Sequence, residues 1–321
     1  MGYQMDMYTI LGAGGTTANA LQSELLRNNK KARLVCRRPI KTGGENISWV
    51  KADLLSYPET LAACKGASVI FLCAGLGVNT EDWKNWWPVI TQNAIDVSKA
   101  VGSRLIFFDN TYMYGVVDGV MTESTPYNPC TIKGEIRAKI AEHLMNEVRA
   151  GNLSASIARA GGFYGTDSMM SVFDSLVLDK YSKRHRAQWL GNPDYYHNFT
   201  FIPDAGKALF LLSQHSESDN QIWHVPTAAP KKGKELIEIA AGIYGVKPSY
   251  LSIRRPVLKL MGLFSPKAAH VAEMYFHFDR DYNFNSSKFE KAFDVTPTSF
   301  SAGIKEMSDT NYKKQSFGGR F

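Results

Sequence analysis

Cysteine is scarce: four residues in 321, with no C-x-x-C pair among Cys36, Cys64, Cys73 and Cys130. That pattern excludes a disulfide scaffold and a zinc ribbon. Cys36 and Cys73 lie inside apolar runs and are expected to be buried thiols in a reducing compartment. No apolar run approaches the roughly 18 residues that a bilayer span needs. Met1 to Met7 shows no basic segment leading into an apolar one, so no export signal is expected. Internal repeats and long linkers are also missing. Lys+Arg 37 against Asp+Glu 30 leaves a net charge of +7, which suits anionic ligands but gives no clustered nucleic-acid footprint. What remains is 44% apolar and 21% charged, enough to bury a core of two domains or one large α/β unit. The expectation is a cytoplasmic protein with no nucleic-acid or membrane partner.

The opening residues carry the first positive signal. Met7 to Leu11 form a short apolar run, which leads into Gly12-Ala13-Gly14-Gly15-Thr16-Thr17-Ala18. Apolar residues at helical spacing then run through Leu21, Leu25 and Leu26. Strand, glycine turn and helix is the context a dinucleotide fingerprint requires. Gly12 permits the tight turn, Gly15 lets the backbone approach a pyrophosphate, and Ala18 lets the helix pack on the strand. Gly14, Thr16 and Thr17 complete the turn, and the helix start supplies N–H groups. No Gly-Lys-Ser/Thr follows, which argues against a P-loop, and no G-x-S-x-G elbow occurs.

The spacing Gly12-x-x-Gly15-x-x-Ala18 resembles the extended and atypical branches of the short-chain dehydrogenase/reductase superfamily, the epimerase/dehydratase-like members. Arg33 to Cys36 looks like the second strand of that family, and Asp53-Leu54 like its acidic-apolar pair beside the adenine. Ser68 to Gly75 looks like the fourth strand, with Ala74-Gly75 near the cofactor, and Leu105 to Phe108 like the fifth. The likeness continues through Tyr114-Gly115, Arg159-Ala160, Phe163-Tyr164-Gly165 and Phe201 to Ala205. It implies an α/β fold: a Rossmann-type doubly wound parallel sheet with a smaller, split substrate domain. The expected division is 1–165 with 198–227 for the nucleotide domain, and 166–197 with 228–321 for the substrate domain.

The charge after the second strand bears on the cofactor. NAD-specific proteins place an Asp or Glu about 20 residues past the glycines to hold the ribose hydroxyls. Here the strand ends in Arg37-Arg38, and Lys30 to Lys41 holds six basic residues and no acid. A guanidinium fork suits a 2′-phosphate, so NADP(H) is expected over NAD. A solvated basic loop is the plainer account.

The chemistry implied by the resemblance needs a Tyr hydroxyl, a Lys four residues later and a Ser or Thr at the end of the fifth strand. Aligned on Tyr114-Gly115, the Ser/Thr place falls on Asn110, with Thr111 beside it. Asn110 can still donate to an oxygen. The following helix is expected to start at an Asn128 cap with Pro129 at N1 and end near Gly151. Ile132, Ile136, Ile140, Leu144 and Val148 would be its buried stripe.

Two registers compete on that helix. Either Lys133 is the family lysine and Pro129 replaces the tyrosine, or Lys133 to Arg137 overlies Tyr-Gly-x-x-Lys. The second keeps Gly134 in place and is preferred. In both, the tyrosine is missing from its family position. Lys133 could then act as the acid, since neighbouring cations disfavour a lysine's charged form. Tyr112, Tyr114 or Tyr127 could reach in instead, with Tyr114 expected to pack. Or the site binds cofactor without turnover. The alternative for a pair of cations at i and i+4 is an ordinary solvated helix face. The two readings of the chain are an NADP(H)-dependent oxidoreductase or epimerase acting on a carbonyl or hydroxyl of a small anionic or sugar-nucleotide-like substrate, and a non-catalytic NADP(H) redox sensor.

Beyond Gly165, Asp167 to Trp189 reads as a helix and a basic connector containing Lys180, Lys183, Arg184, His185 and Arg186. Family members often hold sugar-nucleotide phosphates with such residues; an exposed loop is the alternative. The resemblance puts the site in the cleft between domains, and a homodimer is expected by analogy only. On a helix, His270, Glu273 and His277 would share a face, but no fourth ligand follows and no metal is expected.

Overall fold

The computed structural model describes residues 7–165 and 171–317 of the chain. Its contacts divide it into two units. The first comprises Met1–Gly115, Pro126–Ala160 and Ala205–Val225. The second comprises Val116–Thr125, Gly161–Asp204 and Pro226–Phe321. The segments 116–125, 161–165, 198–204 and 226–227, expected in the first domain, fall in the second unit.

The first unit is built on seven parallel strands: β1 (Met7–Leu11), β2 (Lys31–Cys36), β3 (Ile47–Lys51), β4 (Val69–Leu72), β5 (Arg104–Asp109), β7 (Ala155–Arg159) and β12 (Ile222–His224). Their order is β12-β7-β5-β4-β1-β2-β3, so the direction of winding reverses between β1 and β4. In open α/β sheets that reversal opens a crevice at the carboxyl ends of the strands, where ligands bind. Continuous apolar runs make strands buried on both faces, as in Val-Ile-Phe-Leu of β4.

The helices of this unit are α1 (Thr16–Arg27), α2 (Tyr57–Cys64), α3 (Thr80–Val101) and α4 (Ile132–Arg149), with α6 (Ile202–Gln214) crossing the unit boundary. Their ends follow from capping chemistry. Ser56 and Asn79 accept backbone N–H groups at the starts of α2 and α3, and Gly102 closes α3 in the left-handed region at φ 67°. Trp87, Ile95, Phe107, Ile140 and Leu144 are among the core residues between α3, α4 and the sheet.

Two expectations about α4 are corrected. Thr131, not Asn128, caps it, its Oγ1 accepting from the Gly134 N–H at 3.1 Å. Asn128 is held elsewhere: its N–H donates to the Met113 carbonyl at 3.0 Å. Ile132 is exposed, because α4 turns Lys133, Gly134, Ile136 and Arg137 inward. Among the thiols, Cys73 is buried and burial pushes it up to about 12, while Cys36 is half-buried, its Sγ 3.1 Å from the Arg38 carbonyl.

The second unit is a mixture of short strand pairs and helices. β9 (Ala187–Leu190) pairs with β14 (Tyr250–Ile253), β8 (Gly162–Tyr164) with β11 (Phe199–Phe201), β10 (Tyr196–His197) with β13 (Lys231–Lys232), and β6 (Val120–Met121) with β15 (Asn283–Phe284). Its helices are α5 (Asp179–Ser182), α7 (Gly233–Tyr244), α8 (Arg255–Gly262), α9 (Pro266–Glu273), α10 (Ser287–Phe293) and α11 (Phe300–Phe317). Of the helix expected from Asp167, residues 166–170 lie outside the described residues. A π-helical turn (Asp174–Leu178) leads into α5, and Trp189 belongs to strand β9, its ring buried against Phe173 and Phe199.

The basic run is partly spent on structure. Arg184 Nη1 donates to the Gly245 carbonyl at 2.9 Å, Arg186 Nε to the Tyr250 carbonyl at 2.8 Å, and Lys183 pairs with Asp179. The helical face expected for His270, Glu273 and His277 is broken, because α9 ends at Glu273 and a 3-10 turn carries Met274–His277.

Candidate nucleotide site and its buried charge cluster

The glycine turn is shaped by what surrounds it. Gly12 has φ +85°, and a Cβ there would lie 2.3 Å from the Ala74 Cα, so only glycine fits. The Gly12 and Ala13 N–H groups both donate to the Val35 carbonyl, tying the turn to the end of β2. Gly14 also has a positive φ, +89°, and a Cβ there would lie 3.4 Å from the Ile40 Cγ2. Gly15 caps α1 without a side chain, at φ −76°, and Thr16 and Thr17 form the first turn with no acidic residue beside them. The N–H groups at the start of α1 are thus presented on open backbone, the arrangement a pyrophosphate requires.

Around this turn lie the other residues singled out from the sequence. Arg37 and Arg38 are exposed on the loop between β2 and Ile40. Asp53 follows β3, and its Oδ1 accepts the Leu55 N–H at 3.1 Å. The Leu54 carbonyl accepts from Asn93 Nδ2 at 2.8 Å. Ala74 is half-buried against Gly12, and Gly75 is exposed just past β4. All of them follow the carboxyl ends of strands: Ala74 and Gly75 that of β4, at the winding reversal, and Arg37, Arg38, Asp53 and Leu54 those of β2 and β3, the next strands outward.

The second group stands at the end of β5. Asn110 Oδ1 accepts the Tyr112 N–H at 3.0 Å, and Thr111 is buried. The chain then forms a 3-10 turn, Tyr112–Tyr114, and bends at Gly115, where φ is +63° and a Cβ would lie 1.9 Å from the Asn128 carbonyl oxygen. The start of α4 lies against that turn, since a Cβ on Gly134 would fall 2.6 Å from the Tyr112 carbonyl oxygen.

Lys133 and Arg137 are both buried, so the solvated-face reading fails. The Lys133 ammonium lies 5.7 Å from the Trp83 ring centroid, and the Arg137 guanidinium lies 3.8 Å from that of Trp87 and 5.1 Å from that of Trp83. Two cations spaced one turn apart on α4 thus meet two indoles spaced one turn apart on α3. Tyr112 stacks on the other partner of this group, its ring 6.1 Å from that of Trp83.

Beneath them lies a charge cluster that the sequence reading did not identify. Asp109 is buried and takes two guanidiniums, Arg137 Nη1 at 3.2 Å and Arg159 Nε at 3.3 Å. Arg159 also donates to the hydroxyl oxygens of Tyr114, at 2.9 Å, and of Tyr127. The Tyr114 oxygen is 2.7 Å from His224 Nε2, so the phenol that accepts from Arg159 can donate its own proton onward. Burial pushes Tyr114 up to about 12 and also raises Tyr127, with Arg159 opposing in both. Those directions oppose proton release near neutrality. Burial lowers Arg137 and Asp109 opposes it; for Arg159 burial is outweighed by Tyr114 and Asp109, which raise it. The signal available in the sequence was a charged residue closing each of two apolar strands, Asp109 on β5 and Arg159 on β7.

A parallel sheet wound in this order, with a glycine turn at its reversal, defines a pyridine-nucleotide-binding protein of the Rossmann type. Residues 12–172, half of the chain, match the model of an NAD(P)H-binding family, and the chain belongs to that family. Among solved structures, a dTDP-glucose 4,6-dehydratase from Bacillus anthracis in complex with NAD aligns with a TM-score of 0.79 at 15% identity, over 98% of each chain. UDP-glucose 4-epimerase from Thermotoga maritima with UDP-glucose gives 0.77 at 14%, over 97% of this chain and 100% of that one. MoeE5 in complex with UDP-glucose and NAD gives 0.76 at 19%, over 96% and 99%. No curated protein matches significantly. The shared fold is that of these epimerase and dehydratase structures. Among the described residues, no helix is long and apolar enough to cross a membrane.

Proposed function

We propose that this protein is an NADP(H)-dependent oxidoreductase or epimerase acting on a carbonyl or hydroxyl group of a small anionic, sugar-nucleotide-like substrate. The observation that carries the nucleotide reading is Gly12, held at φ +85° in contact with Ala74, which clears the path across the turn. Gly12, Gly14 and Gly15 with the first N–H groups of α1, at Thr16 and Thr17, would hold the pyrophosphate. Asp53 and Leu54 would flank the adenine, and Ala74-Gly75 would line the path toward the reacting end. Arg37 and Arg38, exposed beside the turn with no acidic residue between Lys30 and Lys41, would hold a 2′-phosphate. When bound, the cofactor supplies a hydride acceptor or donor.

The chain's own residues would supply the rest. The Asn110 amide and the Thr111 hydroxyl would orient the reacting oxygen. Lys133 would hold or move the proton at that oxygen in place of the family tyrosine. Arg137, flat on Trp87 and bonded to Asp109, acts as a positioning residue: it fixes the turn of α4 that carries Lys133. Tyr114, held between Arg159 and His224, packs the strand end. The substrate class is supported by the structural neighbours solved with UDP-glucose.

The test is calorimetry with both nucleotides, followed by incubation of the NADPH- and NADP-loaded protein with UDP- and dTDP-sugars. Tight NADP(H) binding that weakens about tenfold or more in Arg37→Ala or Arg38→Ala, with NAD binding unchanged, supports the cofactor assignment. Conversion of any of those sugars supports the activity. Equal affinity for NAD and NADP in every variant removes the first claim, and no turnover with any carbonyl or hydroxyl substrate removes the second.

A further inference from the structure

The apolar surface of the second unit is concentrated at one place. α8 buries only Leu258, which joins Leu190, Ala272 and Tyr275. Gly262 lets α8 and α9 approach closely, since a Cβ there would lie 3.0 Å from the Ala269 Cα. Val257, Leu260, Met261 and Phe264 follow the i, i+3, i+4, i+7 pattern of a single stripe, yet all four are exposed. Leu263 and Phe264, between the two helices, are 75% and 87% exposed. A stripe of that regularity facing solvent is a surface made to be covered.

The charge around it indicates the cover. Between Glu238 and Glu273 the sequence contains no acidic residue, but it contains Lys247, Arg254, Arg255, Lys259 and Lys267. Arg254, Arg255, Lys259 and Lys267 are exposed beside the apolar stripe. The acid placed near the arginines is Asp279, which together with them acts on Tyr275. A second copy of the chain docked through this stripe would bring these cations against their own copies. An anionic surface would meet them favourably, and exposed Leu and Phe rimmed by Lys and Arg is the chemistry of a helix that lies in a lipid interface.

We propose that the α8–α9 tip docks on an anionic membrane surface. Leu260, Met261, Leu263 and Phe264 enter the boundary between headgroups and acyl chains, and the four flanking cations meet anionic headgroups. The contact is peripheral, and it departs from the sequence expectation of no membrane partner. It is independent of the proposed oxidoreductase activity.

The test uses the full chain and vesicle flotation, comparing phosphatidylcholine alone with phosphatidylcholine mixed with phosphatidylglycerol at low salt. The protein floats with the mixed vesicles and is released by salt. The double variant Leu260→Ser, Phe264→Ser partitions about tenfold more weakly or less. Lys259→Gln with Lys267→Gln weakens binding and flattens its salt dependence. Leu263→Trp shows a blue-shifted emission on mixed vesicles only. Far-ultraviolet dichroism and NADPH affinity unchanged in these variants show that the fold is intact. Failure to float with mixed vesicles, or flotation that the serine pair leaves unaltered, overturns the proposal. So does a concentration-dependent dimer in light scattering that Phe264→Ser alone dissolves, which would assign the surface to a second copy.

Discussion

The Arg137 guanidinium stacks on the Trp87 ring at 3.8 Å from its centroid while donating to Asp109 at 3.2 Å. The residue that stands at the family lysine's place in the preferred register is thereby locked into the core between α3, α4 and β5. Removing the guanidinium leaves Asp109 with one arginine partner instead of two and empties the face of Trp87. Arg137→Met is expected to lower unfolding free energy by about 3 kcal/mol in urea titrations, the usual cost of breaking a buried ion pair from one side. A loss below about 1 kcal/mol would show that Arg159 alone satisfies the carboxylate.

Gly15 separates cofactor binding from folding. Its φ is ordinary, and a Cβ built on it would meet nothing closer than the Gly12 carbonyl oxygen at 3.7 Å, so an added methyl group fits the chain as it stands. Gly15→Ala should change stability by no more than about 1 kcal/mol, the cost of a poorer helix cap. The same methyl group stands where the pyrophosphate is proposed to lie, and calorimetry should show NADP(H) binding weakened by about tenfold or more. Undiminished binding would move the pyrophosphate off this turn.

Lys133 is the proposed proton carrier, and its replacement should act on turnover more than on binding. Lys133→Gln is expected to lower kcat by roughly 100-fold to 10,000-fold, the range a positioned acid or base contributes, with nucleotide affinity largely kept. Lys133→Tyr, which restores the residue of the family pattern, should recover part of the lost rate. If Lys133→Gln leaves kcat intact, the proton is handled elsewhere, and Tyr112 is the next side chain to replace.

Acid sensitivity should reside in the second unit. Burial lowers His197 to about 4, with Asp281 opposing, and lowers His277 to about 3. Both rings stay neutral in the folded chain, whereas the unfolded chain takes up protons as pH falls through about 6.5. The unfolded state binds more protons in that window, so stability is complete above it and declines as pH drops toward the folded values. His197 alone accounts for a loss on the order of 3 kcal/mol. His197→Phe, which keeps the ring packing against Trp189 and Phe278, should flatten the pH dependence of urea unfolding below neutrality. An unchanged slope would mean that His197 is already protonated in the fold.

The nucleotide-binding half was legible because its signals are local. β1, the glycine turn and α1 occupy neighbouring positions, and periodicity and glycine placement report them directly. The start of α4 was misread because Asn128-Pro129 is a good cap in isolation, while the real constraint is the pull of the Met113 carbonyl on the Asn128 N–H. The Asp109 cluster was illegible for a similar reason. It joins β5, α4, β7 and β12, and nothing near Arg159 in sequence announces a partner fifty residues earlier. Lys133 and Arg137 were visible as a pair, but their burial depends on Trp83 and Trp87, which the sequence places one helical turn apart without saying what they face.

Gly134 gives the two basic residues of α4 a common fate. With no side chain, it allows the first helical turn to rest on the Tyr112 carbonyl, a fit that any substituent would wedge apart. A wedge at this point would lift Lys133 and Arg137 together, withdrawing the proposed proton donor and loosening the Asp109 anchor in one movement. Evolution of this helix therefore cannot retune one of these cations through position 134 without disturbing the other.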